Sequence, residues 1–224
     1  MEDYVIQEFF GTILVYLMFY PSAMMGLSTP KLWVLQYFML VGLDTITAGS
    51  GFNPSFNFAF YLSGDMPKRI ALLRSGAAVA GAVVALPVVN WCLPNALGGK
   101  PLDLGDPDVH QWEGMFAKEF ASSALLVLAI LHMSKFGEKY GIYFLGFVFR
   151  FILYFWKDPC MNPIFALSFY LYNGKFHTLD VPTAKFFLMV YIVAPTLAAC
   201  SVTMTVKHVV DTKISSSTAK QKEE

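Results

Sequence analysis

The sequence predicts an all-α membrane protein with six transmembrane helices and two re-entrant half-helices in an inverted repeat. Three observations predict it. Apolar residues make up 56% of the 224-residue chain and charged residues only 14%, against roughly a quarter charged in ordinary soluble domains. The apolar residues gather into six stretches long enough to cross a bilayer. A span carrying a glutamate, followed by an Asn-Pro segment, occurs twice at nearly the same spacing.

Composition also excludes whole classes of function. Lys+Arg and Asp+Glu are 16 each, so the net charge is zero and there is no basic footprint for nucleic acid. The apolar content excludes a disordered chain. Cys92, Cys160 and Cys200 are too few and too scattered for a disulfide scaffold or a zinc site. His110, His132, His177 and His208 lack ligand spacing, so no metal is expected. There is no nucleophile elbow, no Gly-rich phosphate loop and no HExxH helix, so neither an enzyme nor a cofactor is expected.

A helix crossing ~30 Å of hydrocarbon needs about 20 mostly apolar residues. The six candidates lie near Val5–Leu27, Leu32–Ala48, Ile70–Cys92, Met115–Met133, Tyr140–Trp156 and Phe186–Val206. Glu2 and Asp3, rather than positive charge, precede the first, and no small-residue cleavage site follows it, so it reads as a span and not a removable signal peptide. Leu93–Trp112, with Pro94, Pro101 and Pro107, reads as a water-exposed loop between the repeat halves, which run about 5–93 and 113–207 of a single domain, 1–207. Residues 208–224 read as a disordered cytosolic tail.

Orientation follows from the basic residues at the span ends. With the N-terminus in the cytosol, the cytosolic side holds nine: Lys68, Arg69, Arg74, Lys135, Lys139, Lys207, Lys213, Lys220 and Lys222. The other side holds six: Lys31, Lys100, Lys118, Lys157, Lys175 and Lys185. The excess favours both termini inside.

The repeat is read from order. Glu8-Phe9-Phe10-Gly11 opens the first span and Glu119-Phe120-Ala121-Ser122 the fourth. Asn53-Pro54-Ser55-Phe56 begins 45 residues after Glu8, and Asn162-Pro163-Ile164-Phe165 begins 43 after Glu119. Three spans is an odd number, so the halves enter the membrane in opposite senses, and an inverted repeat places its site between them. Asn is a favoured N-cap and Pro a favoured first helical residue, so each Asn-Pro starts a helix. The first stops at Ser63 before Gly64-Asp65, and the second at Tyr172 before Asn173-Gly174. Ten helical residues reach ~15 Å, half the hydrocarbon thickness. Two such helices entering from opposite faces meet at the centre, with their positive N-terminal ends and asparagine amides facing the space between.

This arrangement resembles the aquaporin (major intrinsic protein) family over about Asp3 to Lys207. The family motif is usually Asn-Pro-Ala, and here its third residue is Ser55 or Ile164. That departure is most similar to the unorthodox, or super-aquaporin, branch. The resemblance implies that Asn53 and Asn162 donate to a single file of waters, and that the protein is a homotetramer with one pore per subunit. Two amide donors and two helix N-termini orient water oxygens toward the centre and oppose cations. Glu8 and Glu119 read as braces accepting N–H groups from the irregular loops before the half-helices, since backbone at membrane depth must be satisfied by protein. The bland reading is that both are interfacial.

The constriction departs from the family. The resemblance places it at Trp33, Arg150, Pro159 and Phe165. Phe165 stands where orthodox members have arginine, and Trp33 is similar to glycerol-conducting members. Arg150 lies inside an apolar span, where a lipid-facing charge is costly. It faces the pore in place of the missing arginine, pairs with Asp158, or snorkels to the interface. Asp44 is read as paired with Arg69 or Arg74. Cys160 is either a mercury-sensitive thiol beside the pore or a small buried hydrophobe. In the third span Ala77 with Gly81, or Ala78 with Ala82, fits small-xxx-small packing. Lys220 and Lys222 resemble a dilysine retrieval signal, the alternative being a chance pair in a solvated tail. The signal favours the endoplasmic reticulum or another endomembrane.

The leading function is a passive channel for water or another small neutral solute, such as glycerol or hydrogen peroxide. The alternative is a non-conducting protein of the same fold with a structural or assembly role, its pore occluded by Pro159, Ile164 and Phe165. A coupled transporter using Arg150 and Asp44 lacks the buried charge network such proteins carry.

Overall fold

In the computed structural model, residues 3–47, 52–93, 112–133, 137–156, 160–172 and 181–221 are described. The elements in order are α1 (Asp3–Met24), α2 (Thr29–Ile46), α3 (Pro54–Ser63), α4 (Lys68–Cys92), α5 (Trp112–Met133), α6 (Gly137–Phe155) and α7 (Pro163–Tyr172). The chain ends in α8 (Val181–Phe187), a π-helical segment over Leu188–Val193, and α9 (Ala194–Gln221). Among the described residues, Lys68–Cys92, Trp112–His132 and Val181–Val209 are long and apolar enough to cross a membrane. Large apolar side chains cover the outside. On α6, Tyr143, Phe147, Phe151 and Tyr154 recur every three or four residues and all are exposed, a face that water would penalise and lipid would not.

Two boundaries differ from the sequence expectation. The last span is a composite of α8, the π segment and α9 rather than one regular helix from Phe186. Its helix also continues to Gln221, where the sequence suggested a disordered tail. No Gly or Pro lies between Lys207 and Gln221, so nothing in the chain stops the helix. Lys220 falls in the final turn of α9, and Lys222 lies outside the described residues.

Packing follows the repeat. α1 lies along α4 in the first half as α5 lies along α9 in the second. Each half-helix also packs against the last span of the other half, α3 on α9 and α7 on α4. The α1–α4 contact is close because Gly81 has no side chain. A Cβ there would sit 2.6 Å from the Phe9 carbonyl oxygen and 3.0 Å from Thr12. Ala78, Ala82 and Ala85 beside it are fully buried, the small-residue packing that joins helices without a hydrophobic drive between them. Gly11 has the matching role toward the first loop, since a Cβ there would overlap the Phe52 ring and crowd Thr47.

Candidate pore centre

Both half-helices begin as their residues dictate. Asn53 caps α3 by accepting the Ser55 N–H at 2.9 Å, with Pro54 at the first helical position. Asn162 caps α7 by accepting the Ile164 N–H at 3.2 Å. Each side-chain oxygen is thus committed to its own helix, while each amide crosses to the other half. Asn53 Nδ2 donates to the Met161 carbonyl at 2.9 Å, and Asn162 Nδ2 donates to the Phe52 carbonyl at 2.8 Å. One N–H of each amide is used this way, and an amide carries two. The second meets no acceptor among the described residues.

Phe52 and Met161, each just before its asparagine, have φ of 48° and 51°. The left-handed region costs a non-glycine residue about 1–3 kcal/mol and persists only where the surroundings over-determine it. Here they do. The Phe52 N–H donates to Glu8 Oε1 at 2.8 Å. The Met161 N–H donates to Glu119 Oε2 at 2.8 Å, and the neighbouring Cys160 N–H donates to Glu119 Oε1 at 2.7 Å. Each strained residue is therefore held by the glutamate of its own half and the asparagine of the other. The halves differ in one respect. Glu119 spends both oxygens on backbone, whereas Glu8 gives its second oxygen to Arg74, whose Nε and Nη2 each lie 2.9 Å away. Glu8 is fully buried and Arg74 only 15% exposed.

Arg74, one of the two partners the sequence suggested for Asp44, pairs with Glu8. Arg74 lies one helical turn before Ala78, on the face of α4 turned toward α1, and so meets Glu8. Composition gave no sign of this, although the position of Glu8 within an apolar span asked for a partner.

The proposed constriction residues lie on two seams. Trp33 stacks on Tyr37 at 5.7 Å and meets Phe147 edge-on at 6.3 Å, along the α2–α6 contact. Arg150, three residues after Phe147, is buried on that contact, and its guanidinium donates to Gln36 Oε1. Gln36 in turn donates to Ser22 Oγ at 2.9 Å, and Ser22 to the Phe19 carbonyl at 2.7 Å. Arg150 is therefore buried rather than snorkelling, tied through Gln36 and Ser22 to α1. Asp158 and Pro159 lie outside the described residues. Phe165 packs against Tyr16 of α1 with ring centroids 4.7 Å apart, beside the cluster of Val15, Leu43 and Phe52. The Tyr16 hydroxyl reaches the Ile164 carbonyl at 3.3 Å and Ser168 Oγ at 2.5 Å. Ile164 itself is buried, 1% exposed. Cys160 is half-buried, its thiol donating to the Asn162 carbonyl at 3.2 Å. Cys92 is exposed and Cys200 half-buried. Gln36 and Tyr16 were not singled out from sequence, and Arg74 was not read as a partner of Glu8. Only Gln36, an amide in an apolar span, carried a visible signal.

No protein-family model matches the sequence, and no curated protein matches it either. The fold has solved counterparts. The X-ray structure of the aquaglyceroporin from Plasmodium falciparum superposes with a TM-score of 0.70 at 14% identity, covering 93% of this chain and 96% of that one. At that identity the likeness bears on architecture alone. The chain is an all-α, multi-pass integral membrane protein with the aquaporin fold.

Proposed function

We propose that the protein is a passive channel for water or another small neutral solute, glycerol and hydrogen peroxide being the first to test. One observation carries this reading: two half-helix N-termini meet with each asparagine amide anchored across the repeat, leaving one N–H on each for a passing molecule. Such a centre attracts an oxygen lone pair and repels a cation. Asn53, Pro54 and Ser55 with Asn162, Pro163 and Ile164 form the pore motif, and Glu8 and Glu119 brace the loops behind it. Trp33, Arg150, Pro159 and Phe165 set the constriction. Buried in a bond to Gln36, Arg150 shapes it from behind rather than as a bare cation in the lumen. Cys160 is the thiol through which mercurials block flow, a role that Cys160→Ser removes. The functional unit is a homotetramer of single-domain subunits of the unorthodox branch. Both termini face the cytosol, and Lys220 and Lys222 retain the protein in the endoplasmic reticulum or another endomembrane. Stopped-flow shrinkage of proteoliposomes tests the proposal, and permeability no higher than that of empty liposomes for all three solutes refutes it.

The Phe165–Tyr16 contact favours a second reading, a non-conducting protein of this fold with an assembly role. Bulky aromatic rings close a narrow passage by size and by dewetting. On this reading wild type is silent, and Phe165→Ala opens a water path.

A further inference from the structure

On the reverse side of the two half-helices, against the third motif residues rather than the asparagines, lies a cavity of about 350 Å³. Its floor is Ser55, Pro163 and Ile164, all buried, and its rim includes Ser75 and Val79 of α4 and Ile192 of the π-helical segment, all half-exposed. It is therefore walled by both repeats and accessible from outside. No charged side chain lines it, and most of the lining is apolar. Its floor has one unmet demand: the Ser55 hydroxyl, 3% exposed, has no hydrogen-bond partner. A hydroxyl left so is costly, and native structures rarely leave one without a reason. The rim hydroxyl of Thr196 is committed to the Ile192 carbonyl at 2.6 Å. The π turn sits at this cavity, and such turns concentrate at functional sites.

We propose that this cavity binds a small neutral amphiphile, an alkanol-sized molecule with one hydroxyl and a short apolar body. The volume is at the small end of ligand pockets. A single water would fill a small part of this volume and leave the apolar walls bare. A bare hydrocarbon chain would fill the apolar walls and leave Ser55 unsatisfied. A hydroxyl exchanges hydrogen bonds with Ser55 while its chain lies between Val79 and Ile192. The floor is shared with the pore motif, but labelling reads occupancy directly, so the test does not depend on flow.

The test is photolabelling of the full chain in phosphatidylcholine nanodiscs with a diazirine-bearing octanol, located by mass spectrometry. Adducts are expected on the segments around Ser75–Val79 and Ile192–Thr196, reduced at least fivefold by excess 1-octanol and much less by octane. Ile164→Trp fills the floor and Val79→Phe the rim, and either should reduce labelling at least fivefold. Ser55→Ala should erase the preference for octanol over octane. Competition in wild type decides the matter should both filling variants misfold. Labelling spread over the lipid-facing surface, or insensitive to 1-octanol, overturns the proposal. So does a tightly retained phospholipid that octanol fails to displace, which would make the occupant an acyl chain.

Discussion

Arg74→Met tests how the first half of the centre is held. The Glu8 carboxylate is fully buried, with one oxygen on the Phe52 N–H and the other on two Arg74 nitrogens at 2.9 Å. Methionine keeps an apolar stem against α1 but leaves the carboxylate without its counter-ion. Two hydrogen bonds to charged groups contribute about 1.5–3 kcal/mol each. Breaking a buried pair from one side costs about 3–5 kcal/mol. With Arg74 partly exposed, the lower end applies, about 3 kcal/mol. Adding Glu8→Gln should return part of that loss. Glutamine is neutral, and its carbonyl still accepts the Phe52 N–H, so the double variant should be about 1–2 kcal/mol more stable than Arg74→Met alone, a coupling of the size seen between contacting residues. Unfolding by SDS in mixed micelles, followed by the fluorescence of the four tryptophans, reads these differences. Arg74→Met within about 0.5 kcal/mol of wild type, the range of an ordinary surface change, would refute the reasoning. A double variant showing the plain sum of the two single losses would refute it too.

Two further outcomes follow from the same geometry. Glu119→Gln should destabilise by about 1–3 kcal/mol, because both carboxylate oxygens accept backbone N–H groups and glutamine offers one acceptor oxygen for two donors; the same micelle titration checks it. Gly81→Val should cost about 1–3 kcal/mol by forcing α4 off the Phe9 carbonyl. Gly76→Val, where a Cβ meets nothing within 4 Å, should shift thermal unfolding far less.

Much of this architecture was legible in the sequence because bilayer physics leaves few options. Spans must be apolar and about 20 residues long, so the span cores could be placed from hydropathy. The half-helices were the most readable elements. The Asn-Pro starts gave Pro54 and Pro163 as first helical residues and the Gly64 stop gave Ser63, as in the structure, and α7 is helical to Tyr172, the last residue described there. What was illegible depended on rotation about helix axes. Hydropathy does not say which face of α4 turns to α1, so the pairing of Arg74 with Glu8 was not foreseen. Nor does it say that Arg150 meets Gln36. The left-handed turns at Phe52 and Met161 were invisible for a different reason. Neither residue favours that conformation, which tertiary hydrogen bonds impose from both halves. The π segment was equally hidden, since an apolar run reads alike with four or five residues between bonded groups.

The central claim is that two asparagine amides, each anchored across the repeat, make a path for neutral solutes. The most direct measurement is osmotic permeability per inserted protein in proteoliposomes, comparing wild type with Asn53→Asp/Asn162→Asp. Aspartate has no N–H for the Met161 and Phe52 carbonyls, and it places negative charge where the helix ends prefer a lone pair. Wild type should exceed empty liposomes severalfold for at least one of water, glycerol and hydrogen peroxide, and the double variant should fall to the empty-liposome value. Equal permeability of wild type and the double variant, both folded and inserted, would contradict the account.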